Sequence, residues 1–199
     1  MNSKTGTKER IIQTSAYLFQ IQGYHATGLN QIIKESGAPR GSVYHHFPNG
    51  KAELAIAAIK YTGRCVEKQI QNSMSQFADP VEAIQHFIHV TAEQFNDPQN
   101  IEGVPVGLLA GETALINETL RCTCVEVFKK WTDVFAAKFL EHGFEQEEAE
   151  KLGVTINSMI EGAIMFSLAH KNKEPLLLIS KQVPYIVKTE GSILLLFSL

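Results

Sequence analysis

Apolar residues in this chain recur at intervals of three and four, and the period-two alternation of a half-buried strand never persists. Leu120, Cys124, Phe128, Trp131, Phe135 and Phe139 show the pattern most clearly, forming one stripe along a single long helix. An all-α fold follows. With 199 residues, 44% of them apolar, the chain can bury a substantial core in one large domain or two small ones. No apolar run of signal-peptide length opens the sequence, and no run approaches the roughly 18 residues of a membrane helix. The expectation is a cytoplasmic protein with no membrane partner. Cys65, Cys122 and Cys124 are too few and too oddly spaced for a disulfide framework, so they are read as reduced thiols.

Stop and start signals divide the chain into helices. The first runs from Lys8 to about Gln22, capped by Thr7 and stopped by Gly23. The second starts after Thr27 and ends at Gly37, and a short third opens with Pro39 at a first-turn position and closes near Phe47. After "FPNGK" a long helix runs from Lys51 towards Ser75, and Asp79 followed by Pro80 caps the next. Beyond the loop "NDPQNIEGVPVG", helices are expected over Leu108 to Thr113, Asn117 to His142, Gln146 to Lys171 and Glu174 to about Thr189. The apolar tail from Ile193 to Leu199 is expected to pack on a partner helix or a sister chain.

Charge is divided unevenly along the chain. Residues 1–64 hold eight basic side chains against three acidic ones, whereas the rest hold ten against eighteen, although the whole carries only -3. A basic segment joined to an acidic one fits a module that binds a polyanion attached to one that does not. The segment "APRGSVYHHF", Ala38 to Phe47, lies in the basic part. A glycine turn at Gly37 between two short helices matches a helix-turn-helix, whose second helix presents its first turn to the major groove. Arg40 can then donate two hydrogen bonds to a guanine edge, Gly41 permits close backbone approach, and Ser42 can serve a base or a phosphate. Tyr44 and His45 sit one turn on, towards the phosphate ridge. Val43 and Phe47, four apart, hold the helix down, and His46 belongs with that packing. A metal at His45 and His46 would need ligands that the local sequence does not supply, and no cofactor is expected.

These residues resemble the TetR family of bacterial transcriptional repressors, whose helix-turn-helix carries a motif matched here by Thr27, Ile32, Gly37, Gly41, Tyr44, His46 and Phe47. Ile32 stands one place later than in that template, and Pro39 replaces a small polar residue. The resemblance implies a homodimer with a three-helix DNA-binding domain over residues 1–50 and a larger helical ligand-binding and dimerisation domain over 51–199. It also implies an operator of double-stranded DNA, with Arg40, Gly41, Ser42, Tyr44 and His45 in contact and Thr27 and Lys51 as phosphate anchors at helix starts. "EGVPVGLLAGE" resembles the LmrA-like branch, associated with efflux genes and aromatic small molecules.

In the acidic part the aromatic stripe can be ordinary core or the wall of a cavity. Phe95, Leu109, Phe128, Trp131, Phe135 and Met159 are the candidates for contact with a small-molecule effector, and Glu112 and Glu161 for its polar recognition. Gly162, among small and apolar residues, suits a dimer face where helices approach closely. A ligand-responsive repressor is the leading reading. An all-helical enzyme and a constitutive architectural DNA-binding protein are the alternatives, and no nucleophile and base arrangement supports the first of these.

Overall fold

The computed structural model describes residues 6–96 and 106–196, with side chains as far as residue 188. Among the described residues there are helices and no strand. They are α1 (Thr7–Ala26), α2 (Leu29–Ser36), α3 (Arg40–His46), α4 (Lys51–Gln76), α5 (Pro80–Glu93), α6 (Val106–Thr113), α7 (Glu118–Leu140), α8 (Gln146–His170) and α9 (Glu174–Leu196), with a 3-10 turn at Gln94–Asn96. Most of the loop after Asn96, and the packing of the apolar tail, lie outside the described residues.

Local chemistry accounts for most boundaries. Asp79 caps α5 by accepting from the Glu82 amide at 2.9 Å, and Asn117 accepts from the Leu120 amide at 3.0 Å to start α7. Gly37 ends α2 in the left-handed region, with φ 60°. Two starts differ from expectation. Gly6, not Thr7, is the cap of α1, and Pro39 stands just before α3 rather than in its first turn. Gly23 does break α1, with φ 81° and ψ 172°, yet the chain resumes for one more turn to Ala26 instead of stopping.

α9 runs past Thr189 to Leu196 with Pro184 inside it. Proline cannot donate to the carbonyl four residues back. That carbonyl, on Ser180, instead accepts from Gln85 Nε2 of α5 at 2.9 Å, so a partner helix satisfies the group that proline leaves open. The Ser180 hydroxyl also meets His89 Nε2 at 3.2 Å, which ties α5 to α9 at the same place.

The chain forms two compact units. One holds the residues through Cys65 together with α6 and the start of α7 as far as Val127; the other holds the end of α4, α5, the rest of α7, α8 and α9. This division differs from the one expected at residue 50, because α6 packs on α1 and the break falls inside α4. In the second unit α8 is long and apolar enough to cross a membrane by composition, which counting consecutive apolar residues had not revealed. Its residues Leu152, Gly153, Ile156 and Ile160 are buried, and a Cβ on Gly153 would lie 2.6 Å from the Thr132 carbonyl oxygen of α7. Gly153 thus serves close packing within the chain. Gly153→Ala should gain about 1 kcal/mol in helix propensity but lose more to overlap with a backbone that cannot turn aside. A net cost of about 2 kcal/mol would lower the thermal midpoint by roughly 4–8 °C in calorimetry.

Candidate nucleic-acid interface

α3 is seated by its apolar residues. Val43 and Phe47 are buried, as are Ile32 of α2 and Ile11, Leu18 and Phe19 of α1, giving the three helices one small core. Arg10 of α1 secures the far end of α2, its Nε donating to the Ser36 carbonyl at 2.7 Å. The opposite face of α3 is open. Arg40, Gly41, Tyr44 and His45 are exposed, Tyr44 at 44%, and Ser42 is half-buried. Arg40 and Tyr44 are four apart, as are Gly41 and His45, so they share a face. A Cβ on Gly41 would meet nothing within 4 Å, which leaves room for another backbone. His46 is half-buried, its ring centroid 6.3 Å from that of Phe47.

Of the two expected phosphate anchors, Thr27 is placed otherwise. Thr27 is fully buried, and its hydroxyl meets the Gly23 carbonyl at 2.7 Å and the Leu18 carbonyl at 3.2 Å. It also accepts from Gln22 Nε2 at 3.2 Å, so this side chain is an internal tie and cannot reach a phosphate. Lys51 does stand at the start of α4, but its Nζ donates to the Tyr24 carbonyl at 3.1 Å and lies 4.4 Å from the centre of the Tyr24 ring. Burial pushes the Tyr24 phenol above its ordinary pKa, so the ring beside this ammonium is neutral.

Tyr24 is held from the other side by a residue that local sequence did not connect to it. Glu112 of α6 accepts from the Tyr24 amide at 2.5 Å and from the His25 amide at 3.4 Å. These are donors that the break at Gly23 leaves without helical partners, and a carboxylate at the start of the resumed turn suits them. Gly23 is required twice over: its φ is positive, and a Cβ there would lie against the Glu112 carboxylate. Glu112→Ala should destabilise this unit by about 1 to 3 kcal/mol, whereas Glu112→Gln, which keeps an acceptor, should recover most of the loss in urea denaturation.

The expected effector contacts fall in different surroundings. Leu109 belongs to the first unit, and Phe95, Phe128, Trp131, Phe135 and Met159 to the second. Phe135 is fully buried against Phe87, with ring centres 5.9 Å apart; Trp131 is buried beside the half-buried Phe128 at 5.7 Å. Phe139 packs on Phe144 at 5.3 Å. Much of the stripe is therefore tightly packed core. An open groove of about 610 Å³ lies between α4 and α7 of the second unit, lined by Glu67, Met74, Lys130, Asp133, Val134 and Lys138 among others. None of the six expected effector contacts lines it. Among the described residues no group of three or more His, Cys, Asp or Glu side chains is placed to hold a metal ion. Cys122 and Cys124 are poorly nucleophilic: burial pushes Cys124 up to about 11, and the hydrogen bond to Glu118 raises Cys122.

An open polar face on a short helix, seated on two supporting helices across a glycine turn, defines a helix-turn-helix DNA-binding unit. Residues 11–58 match the family described as bacterial regulatory proteins, tetR family, and residues 80–182 match the C-terminal domain of LmrA/YxaF-like transcriptional regulators. The uncharacterized HTH-type transcriptional regulator YxaF of Bacillus subtilis is 61% identical over 96% of this chain and all of its own length. The HTH-type transcriptional regulator LmrA of the same organism is 46% identical over 92% of this chain and 97% of its own. A TetR transcriptional regulator from Legionella pneumophila, 20% identical, superposes with a TM-score of 0.78 over 93% of this chain and 98% of that one, which shows the shared fold. The chain belongs to the TetR family, in its LmrA/YxaF-like branch, and is a transcriptional regulator rather than an enzyme.

Proposed function

We propose that this regulator is a cytoplasmic repressor that binds an inverted-repeat operator as a homodimer and leaves it when a small apolar or aromatic effector binds. The observation that carries this reading is the open face of α3, where Arg40, Gly41, Tyr44 and His45 lie together on a helix held by buried Val43 and Phe47. Ser42 completes the contact set. Lys51, with one donor on Tyr24, keeps two N–H groups for a phosphate.

Dimerisation is supported by apolar side chains on α8 and α9 that water does not favour. Phe166 is 63% exposed and Tyr185 68%, with Val154, Met165 and Leu178 also open, and a Cβ on Gly162 would meet nothing within 4 Å. A second copy covering this face would set two recognition helices roughly 34 Å apart, or a multiple of that. Phe95, Phe128, Trp131 and Met159 remain the residues proposed to meet the effector. α4 and α7, each running from one unit into the other, would carry its effect to α3. Control of efflux genes, which the resemblance to the LmrA-like branch implies, belongs to the same proposal.

The test is a mobility-shift comparison of the protein's own upstream DNA with unrelated duplex, repeated during titration with planar aromatic compounds while Trp131 emission is followed. Preference for the upstream DNA, lost at the concentrations that change the emission, supports the proposal. Equal affinity for both duplexes would favour architectural binding, and an emission change without DNA release would separate ligand binding from regulation.

A further inference from the structure

α3 begins with Arg40, and its guanidinium does not extend freely from the helix. Arg40 Nη2 donates to Oδ1 of Asn30, on the first turn of α2, at 2.8 Å, and both side chains are exposed. An exposed arginine samples many rotamers, so an acceptor on the neighbouring helix restricts where its planar fork points. The chemistry leaves the fork usable. Nη2 carries two N–H groups; one goes to Asn30, which leaves the other, with those of Nη1, to donate to the O6 and N7 acceptors of guanine. The platform beneath is itself fixed, because Arg10 locks the carboxyl end of α2 through Ser36 and Val43 buries α3 against its neighbours.

We infer that Asn30 is a positioning residue for base recognition: it holds the Arg40 guanidinium in the orientation that reads guanine, and so sets specificity through Arg40. This rests on the reading of α3 as the recognition helix. Pre-ordering a side chain removes part of the ordering cost that binding would otherwise carry. The benefit should therefore appear only on DNA where Arg40 meets its base.

The experiment is a double-mutant cycle in the full-length protein with Asn30→Ala, Arg40→Ala and the double variant. The DNA probes are a duplex selected from a random-sequence pool, the same duplex with 7-deazaguanine in place of guanine, and a scrambled duplex. Asn30→Ala is expected to lower the ratio of operator to scrambled affinity by about tenfold over two half-sites. It should cause no further loss in the Arg40→Ala background or on the 7-deazaguanine duplex. Unchanged circular dichroism and thermal midpoint will show that the variants are folded. An equal loss with and without Arg40 would mean that Asn30 touches DNA itself, and no loss would mean that the pair is incidental; either result overturns the inference. If the pool yields no preferred sequence, it is the recognition-helix reading that fails.

Discussion

Replacing Gly162 with arginine should convert the protein to monomers and weaken operator binding about a thousandfold or more. The site lies on the exposed face of α8 beside Met165 and Phe166, with open space where a Cβ would stand. A second copy packed there would leave no room for a guanidinium, and burying an unpaired charge in an apolar seam costs more than a small interface can return. The size of the effect comes from linkage. Within a dimer, binding of the first half-site presents the second at a high effective concentration, and a monomer loses that contribution altogether. Its affinity should fall towards the level of non-specific binding, which in DNA-binding proteins is typically 10³-fold or more weaker. Sedimentation velocity and mobility shift on the same samples check both halves. A variant that sediments as a dimer, or a monomer that still binds its operator tightly, contradicts the assigned seam.

Arg40→Ala should remove sequence preference while leaving weak binding to any duplex. A bidentate arginine to guanine contact discriminates by about 1 to 3 kcal/mol, so two half-sites acting independently lose about 2 to 6 kcal/mol. Non-specific affinity depends mainly on the number of phosphates neutralised, and it should change far less. The ratio of operator to scrambled-duplex affinity, measured at one fixed salt concentration, isolates the effect. Arg40→Lys should not restore the ratio fully, because a point ammonium lacks the planar fork. An unchanged ratio in Arg40→Ala would move the recognition surface away from the start of α3.

The features legible in the sequence were those settled within a turn or two of chain. Asp79 announces α5 because its carboxylate meets an amide three residues on, and Gly37 ends α2 because a left-handed residue suits glycine. The open face of α3 could be read for the same reason: Val43 and Phe47 leave the positions between them for solvent. What escaped notice depends on partners far along the chain. Glu112 was read as a group for polar recognition of an effector, and only the fold brings it to the amide of Tyr24, 88 residues earlier. A helix was expected to run through Pro184, but its sequence could not show that Gln85 of α5 donates to the Ser180 carbonyl that the proline leaves open. Thr27 was expected to anchor a phosphate because nothing in its neighbours reveals that the Gly23 break turns it inward onto carbonyls of α1. The aromatic stripe was ambiguous by nature, since core and cavity wall share one spacing, and Phe135 and Phe139 prove to be fully buried.

The central claim is that two copies of α3 read one operator symmetrically. Selecting duplexes from a random pool with the full-length protein, then weighing the complex by sedimentation equilibrium, tests it most directly. The expected result is an inverted repeat whose half-sites lie about one helical turn or a multiple apart, carrying guanine at symmetry-related positions and bound by an even number of chains. Enrichment of a single unrepeated site bound by one chain, or no enrichment at all, would contradict it.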